Sequence, residues 1–213
     1  MILYRLNEGQ VYQEPILYRP RTCFLMTQLG EPVPEEVVAI RRSLKGVLNQ
    51  YDIDLIDADS EITGGDFLIK IWLMLAAVPL AVAVVHEDMK PSTLSNIFYE
   101  IGLAQALGKE SIVIKTDKAT IPSDFIRTEY IKHDGNFERR MHQYINKFLR
   151  QGEWYELLAD NLERNPLLSL DYLRRAFLIT GEESLKENVT EICETLALHE
   201  RARNSVESLL ARF

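Results

Sequence analysis

Asn96 and Glu100 stand four residues apart inside LSNIFYEIGLAQALGKESIVI, residues 94–114, where most of their neighbours are small or apolar. On a helix this spacing puts the amide and the carboxylate on one face. A carboxylate fixed beneath a sugar can act as a nucleophile, or can stabilise the positive charge that develops as a glycosidic bond breaks. A helix from Thr93 to Gly108 places Glu100 in its first two turns, where the dipole favours the ionised form. Partial burial pushes the other way. Glu100 equally fits a solvated position on an ordinary helix, because Ile97, Ile101 and Ala104 suffice to pack it.

The elements that must position these residues follow from hydrophobic periodicity. Short apolar runs predict strands at 22–27, 53–57, 80–85, 111–115 and 128–133, and helical spacing predicts helices at 34–51, 66–77, 93–108 and 136–150. In the first helix Val37, Ile40, Leu44, Val47 and Leu48 share a face, with two glutamates in the opening turn to suit the dipole. LAVAVV, residues 80–85, is apolar on both faces, as in a strand covered by helices on each side. Strand–helix alternation predicts an α/β fold: an open, mainly parallel five-stranded sheet with helices on both faces and right-handed crossovers. Residues 1–20 read as an N-terminal arm or hairpin, 21–150 as the α/β domain, and 151–213 as a helical C-terminal extension broken at Asn165–Pro166 and around Gly181.

Ligands of such sheets bind outside the carboxyl ends of the strands. That rule selects Thr27 and Gln28 after the first strand. It selects Asp57 and Asp59 after the second, and His86, Glu87 and Asp88 after the third, leading to Asn96 and Glu100. Thr116 follows the fourth strand, with Asp124 in the loop beyond. Each has a plainer reading beside the functional one. His86 is a base or simply a polar strand end. Asp57 and Asp59 bind a ribose or cap the next turn. Gly64 and Gly65 admit a ligand or merely turn the chain into a helix capped by Asp66. Lys109 reads as a solvated turn residue, and Trp154, Tyr155, Tyr172 and Phe177 as packing between C-terminal helices. His133, His142 and His199 share no metal-ligand spacing, and no metal is expected.

Composition excludes some classes. Thirty-two acidic against 24 Lys and Arg residues leave a net charge of −8, which opposes a general nucleic-acid or anionic-membrane binder. Cys23 and Cys193 form neither a disulfide framework nor a metal pair, as expected in a reducing cytoplasm. The longest apolar stretch, residues 71–85, is interrupted by Pro79 and short for a membrane span. The N-terminus turns polar too early for a signal peptide. A soluble cytoplasmic protein is expected.

SNIFYEIGLAQALGKESIVI also resembles the N-x-x-x-E-[LI]-G-x-A-x-A-x-G-K signature of the nucleoside 2-deoxyribosyltransferase-like and TIR-like superfamily. CFLMT fits that family's opening strand, DIDLIDAD its second strand and following acids, and IPSDFIRTEYIKH its late loop and strand; the resemblance covers roughly residues 21–150. Pro79 stands where many relatives carry the first acid around the third strand, Asp88 or Glu87 matches the second only by a small shift, and MKPSTLS is a longer link. The resemblance implies a flavodoxin-like sheet and an enzyme cleaving or transferring at the N-glycosidic bond of a nucleoside, nucleotide or NAD-like dinucleotide. Glu100 becomes its catalytic carboxylate and Asn96 a sugar- or phosphate-positioning amide. Thr27, Gln28, Asp57, Asp59, His86, Asp88 and Asp124 complete the substrate set. No cofactor is required beyond a nucleotide or NAD as substrate, and a homo-oligomer through the C-terminal helices is implied. The competing expectation is a non-catalytic nucleotide-sensing or assembly module of the same fold, such as a signalling or immunity effector.

Overall fold

In the computed structural model, which describes residues 16–30, 32–60, 66–122, 129–162 and 165–195, the apolar run Leu80–Val85 is a strand buried on both faces. It is β3, the middle of a five-stranded sheet in the order β2-β1-β3-β4-β5. The flanking strands are β1 (Thr22–Met26), β2 (Asp54–Asp57), β4 (Glu110–Lys115) and β5 (Tyr130–Lys132). All four pairings are parallel, with Cys23 opposite Leu80 and Leu80 opposite Glu110. The fold is therefore an open α/β sheet of flavodoxin-like order, with its topological switch between β1 and β3.

The helices are α1 (Glu35–Asn49), α2 (Phe67–Ala77), α3 (Pro91–Ala106), α4 (Phe137–Asp160), α5 (Pro166–Thr180) and α6 (Ser184–Thr195). In α1 the five predicted residues, Val37, Ile40, Leu44, Val47 and Leu48, are all buried. Asp66 caps α2, its Oδ1 accepting from the backbone N–H of Leu68 at 2.8 Å and of Ile69 at 3.3 Å. Two helices depart from the sequence expectation. Helix α3 begins at Pro91 rather than Thr93, since proline is pre-set for a first helical position. Helix α4 runs straight past residue 150 to Asp160.

That long helix joins two cores. Ile145 and Phe148 pack on the sheet side, while Ala159 joins Leu170, Leu173, Phe177, Leu185 and Val189 in a second cluster among α4, α5 and α6. The aromatic residues 155, 172 and 177 pack as expected, with the Tyr155 and Tyr172 rings 5.7 Å apart and Phe177 buried. Trp154 does not: it is 56% exposed, because the buried face of α4 passes through its neighbour Tyr155 instead. Lys109 is likewise no solvated turn residue; its Nζ reaches under α2 and donates to the carbonyl of Ala76 at 2.7 Å. No helix among the described residues is long and apolar enough to cross a membrane. Of the arm or hairpin expected over residues 1–20, positions 1–15 lie outside the described residues, as do positions 196–213 of the helical extension.

Candidate functional site

The switch between β1 and β3 sets Thr27 and His86 just beyond neighbouring strand ends, since Met26 pairs with Ala83 and the two strands run parallel. Here His86, 5% exposed, is the centre of a polar cluster. Its Nδ1 accepts the backbone N–H of Asp88 at 3.1 Å, so the neutral ring carries its proton on Nε2. That Nε2 lies 3.4 Å from Glu36 Oε2 and 3.9 Å from Glu87 Oε2. Glu87 in turn accepts the Thr116 hydroxyl from the end of β4, and this hydrogen bond holds its carboxyl below the usual range. Glu36, His86 and Glu87 are spaced closely enough to enclose a cation, their ligand atoms lying within 4.8 Å of one another. The Asp88 hydrogen bond argues for a different use: it leaves Nε2 a donor, with no lone pair to give a metal. The arrangement instead sets two carboxylates and one N–H donor side by side at the carboxyl edge.

Thr27 is 8% exposed, and its Oγ1 has no hydrogen-bond partner among the described residues. A buried hydroxyl left so costs about 1–3 kcal/mol relative to a paired one. Gln28 is engaged across its own loop, Nε2 donating to the carbonyl of Pro32 at 2.9 Å.

Asp57 is committed to local structure. Its Oδ1 accepts from Asp59 N at 3.1 Å and from Ser60 Oγ at 2.8 Å, while Oδ2 receives the Arg41 guanidinium from α1. The exit turn from β2 occupies Oδ1, as the capping reading of this strand-end acid expects, and α1 occupies Oδ2 through Arg41. Asp59 is exposed beside it, and the Asp88 side chain is 80% exposed. Asp124, Gly64 and Gly65 lie outside the described residues.

Glu100 and Asn96 are one helical turn apart on α3, with Asn96 exposed and Glu100 half-buried. Because α3 starts at Pro91, Glu100 is in the third turn, beyond the reach of the N-terminal dipole. The expected contest between dipole and burial is thus won by burial, which pushes the Glu100 carboxyl up to about 7. No side chain among the described residues forms an ion pair or hydrogen bond with it. The first fully buried residue of α3 is Ile97, with Leu94 partly buried against the same core one turn earlier. Glu100 enters the structure one turn past that point, on the flank of the Ile97–Ile101–Ala104 face.

Sequence reasoning overlooked Glu36, reading it as a dipole partner only. The signal was present: in a parallel sheet the helix after β1 begins at the same carboxyl edge as the end of β3. Neither models of known protein families nor curated proteins match the chain.

Proposed function

We propose that the protein cleaves or transfers at the N-glycosidic bond of a nucleoside, nucleotide or NAD-like dinucleotide, with Glu100 as the key carboxylate. The observation that carries this reading is a half-buried glutamate, one turn past an amide on the same helix, whose carboxyl is held near neutrality by burial. As the bond between the anomeric carbon and the base nitrogen breaks, its electron pair leaves with the base and positive charge spreads over the sugar C–O bond. An ionised Glu100 stabilises that charge, or captures the anomeric carbon, more strongly than it binds the neutral ground state. Water or an acceptor base then forms the new bond and loses its proton, while the departing base gains one. Glu36 and Glu87 are suited to accept hydrogen bonds from sugar hydroxyls, with His86 Nε2–H and the Thr27 hydroxyl as complementary groups.

The test is incubation with NAD and a panel of nucleosides and nucleotides, reading free base by chromatography beside Glu100→Gln. Base release lost by at least about a hundredfold in the variant is expected, the scale for removing a group that acts in the transition state. Equal release by both proteins sinks the assignment. Saturable nucleotide binding with no release from any substrate would make this a sensing module instead.

A further inference from the structure

A second concentration of charge lies at the opposite, amino edge of the sheet. Lys109 and Glu110 lead into β4 there, α4 contributes Tyr155, and α5 contributes Arg174, Arg175 and Leu178; together they line a cavity of about 30 Å³. Three cations thus face two acids at this spot, Glu110 and, on α5, Asp171, in a chain whose net charge is −8. Asp171 already serves both arginines: Oδ1 receives Arg174, and Oδ2 accepts from Arg175 Nε at 2.9 Å. Arg174 also donates to the Tyr18 hydroxyl at 2.8 Å, and Arg175 to the carbonyl of Gly108 at 3.3 Å. Lys109 uses one of its three protons on Ala76. Burial, and then the charges of Arg174 and Arg175, push the Lys109 amine down to about 7 against the opposing pull of Asp171. Three cations against two acids leave the ammonium under-compensated in this cavity. A space of this volume takes roughly two water-sized groups, enough for the two oxygens of one carboxylate.

We propose that this amino-edge cavity binds the carboxylate of a small organic acid, held by Lys109 and Arg175 against the Tyr155 ring. An incoming carboxylate supplies the charge the three cations lack and accepts charge-assisted hydrogen bonds from both residues. Binding requires the ammonium form, so it weakens as pH rises through about 7; Arg174, Arg175 and Asp171 of α5, Tyr155 of α4 and Glu110 of β4 are the other charged or titratable groups facing Lys109. Glu100 is not among the residues that line this cavity, and the binding proposed here is independent of the activity proposed for it.

The experiment is equilibrium dialysis of the full chain against radiolabelled acetate, with inorganic phosphate in parallel, in low-chloride buffer. One saturable equivalent of acetate is expected, weakened about ten- to a hundredfold in Lys109→Met and in Arg175→Gln, the scale for a lost hydrogen bond to a charged group. Glu100→Gln, at a residue that does not line the cavity, is expected to bind as wild type does. In the wild-type chain alone, acetate is expected to slow acylation of Lys109 by a limiting activated ester, read peptide by peptide. This arm holds even where a variant fails to fold. Absence of saturable acetate binding, or no protection of Lys109, overturns the proposal. Acetate binding that survives both substitutions, or phosphate bound with acetate excluded, overturns it equally.

Discussion

A carboxyl moved from 4.5 to about 7 by burial binds its proton in the folded chain across a pH range where the unfolded chain has released it. The folded state is then the more protonated one, so Glu100 lowers stability as pH rises through that window and adds no further change above about 7. Glu100→Gln removes this penalty. The variant is expected to be more resistant to urea than wild type at about pH 8, by on the order of 1–3 kcal/mol, with the difference vanishing near pH 4. Equal pH dependence in both proteins would show that Glu100 is solvated. On the catalytic reading, turnover also rises through about pH 7 as the carboxylate forms. Thr27→Val is a second test at this scale. Its hydroxyl has no partner among the described residues, so replacing it by a methyl group is expected to leave stability within about 1 kcal/mol or raise it. A larger loss in thermal unfolding would mean that the hydroxyl is paired in the folded protein.

Between elements, α4 meets the end of α5 tightly at Gly152. A Cβ built on Gly152 would lie 2.7 Å from Thr180 Cγ2 and 3.3 Å from Ile179 Cγ2. Alanine is the better helix former by about 1 kcal/mol, yet Gly152→Ala is expected to destabilise the protein by roughly 1–3 kcal/mol because the two helices must separate. Thr180→Ser removes the nearer methyl group and is expected to recover most of that loss in a double-mutant cycle. At the start of α2 the side chain of Asp66 satisfies two backbone donors. Asp66→Ala is expected to cost about 1 kcal/mol in denaturant titration, as N-cap removals do.

For the whole molecule, Arg21 is the clasp. It sits at the entry to β1 with φ of 51°, where its own N–H donates to the carbonyl of Leu178 at 2.8 Å. Its guanidinium donates to the carbonyls of Tyr51, Asp52 and Thr180. One side chain thereby ties the α1–β2 turn to the end of α5, and Ile179 extends the sheet-side core from the same place. Through these contacts the end of α5 is tied to the sheet. Arg21→Ala is expected to lower stability by roughly 1–3 kcal/mol, from several hydrogen bonds of modest net worth lost together. Circular dichroism and near-ultraviolet signals should then melt at the same lowered temperature; separate transitions would show that α5 and α6 fold independently of the sheet.

The parallel sheet and its helices were legible from the chain alone, because buried strands and amphipathic helices impose their periods on local sequence. LAVAVV forms β3 over the residues expected, and the buried face of α1 is the one its spacing predicts. Thr27, His86 and Glu100 could be singled out because they follow strand ends or interrupt an apolar helix. Other features depend on neighbours distant in sequence. Glu36 reaches His86 only once β1 and β3 lie side by side, the second oxygen of Asp57 is occupied only because Arg41 lies opposite, and Lys109 is drawn in from solvent only because the carbonyl of Ala76 lies within its reach. The start of α3 at Pro91 moved Glu100 beyond the dipole and left burial to set its charge. Local sequence determines period and therefore element type; desolvation and pairing, which decide protonation, arise only from contacts made in three dimensions.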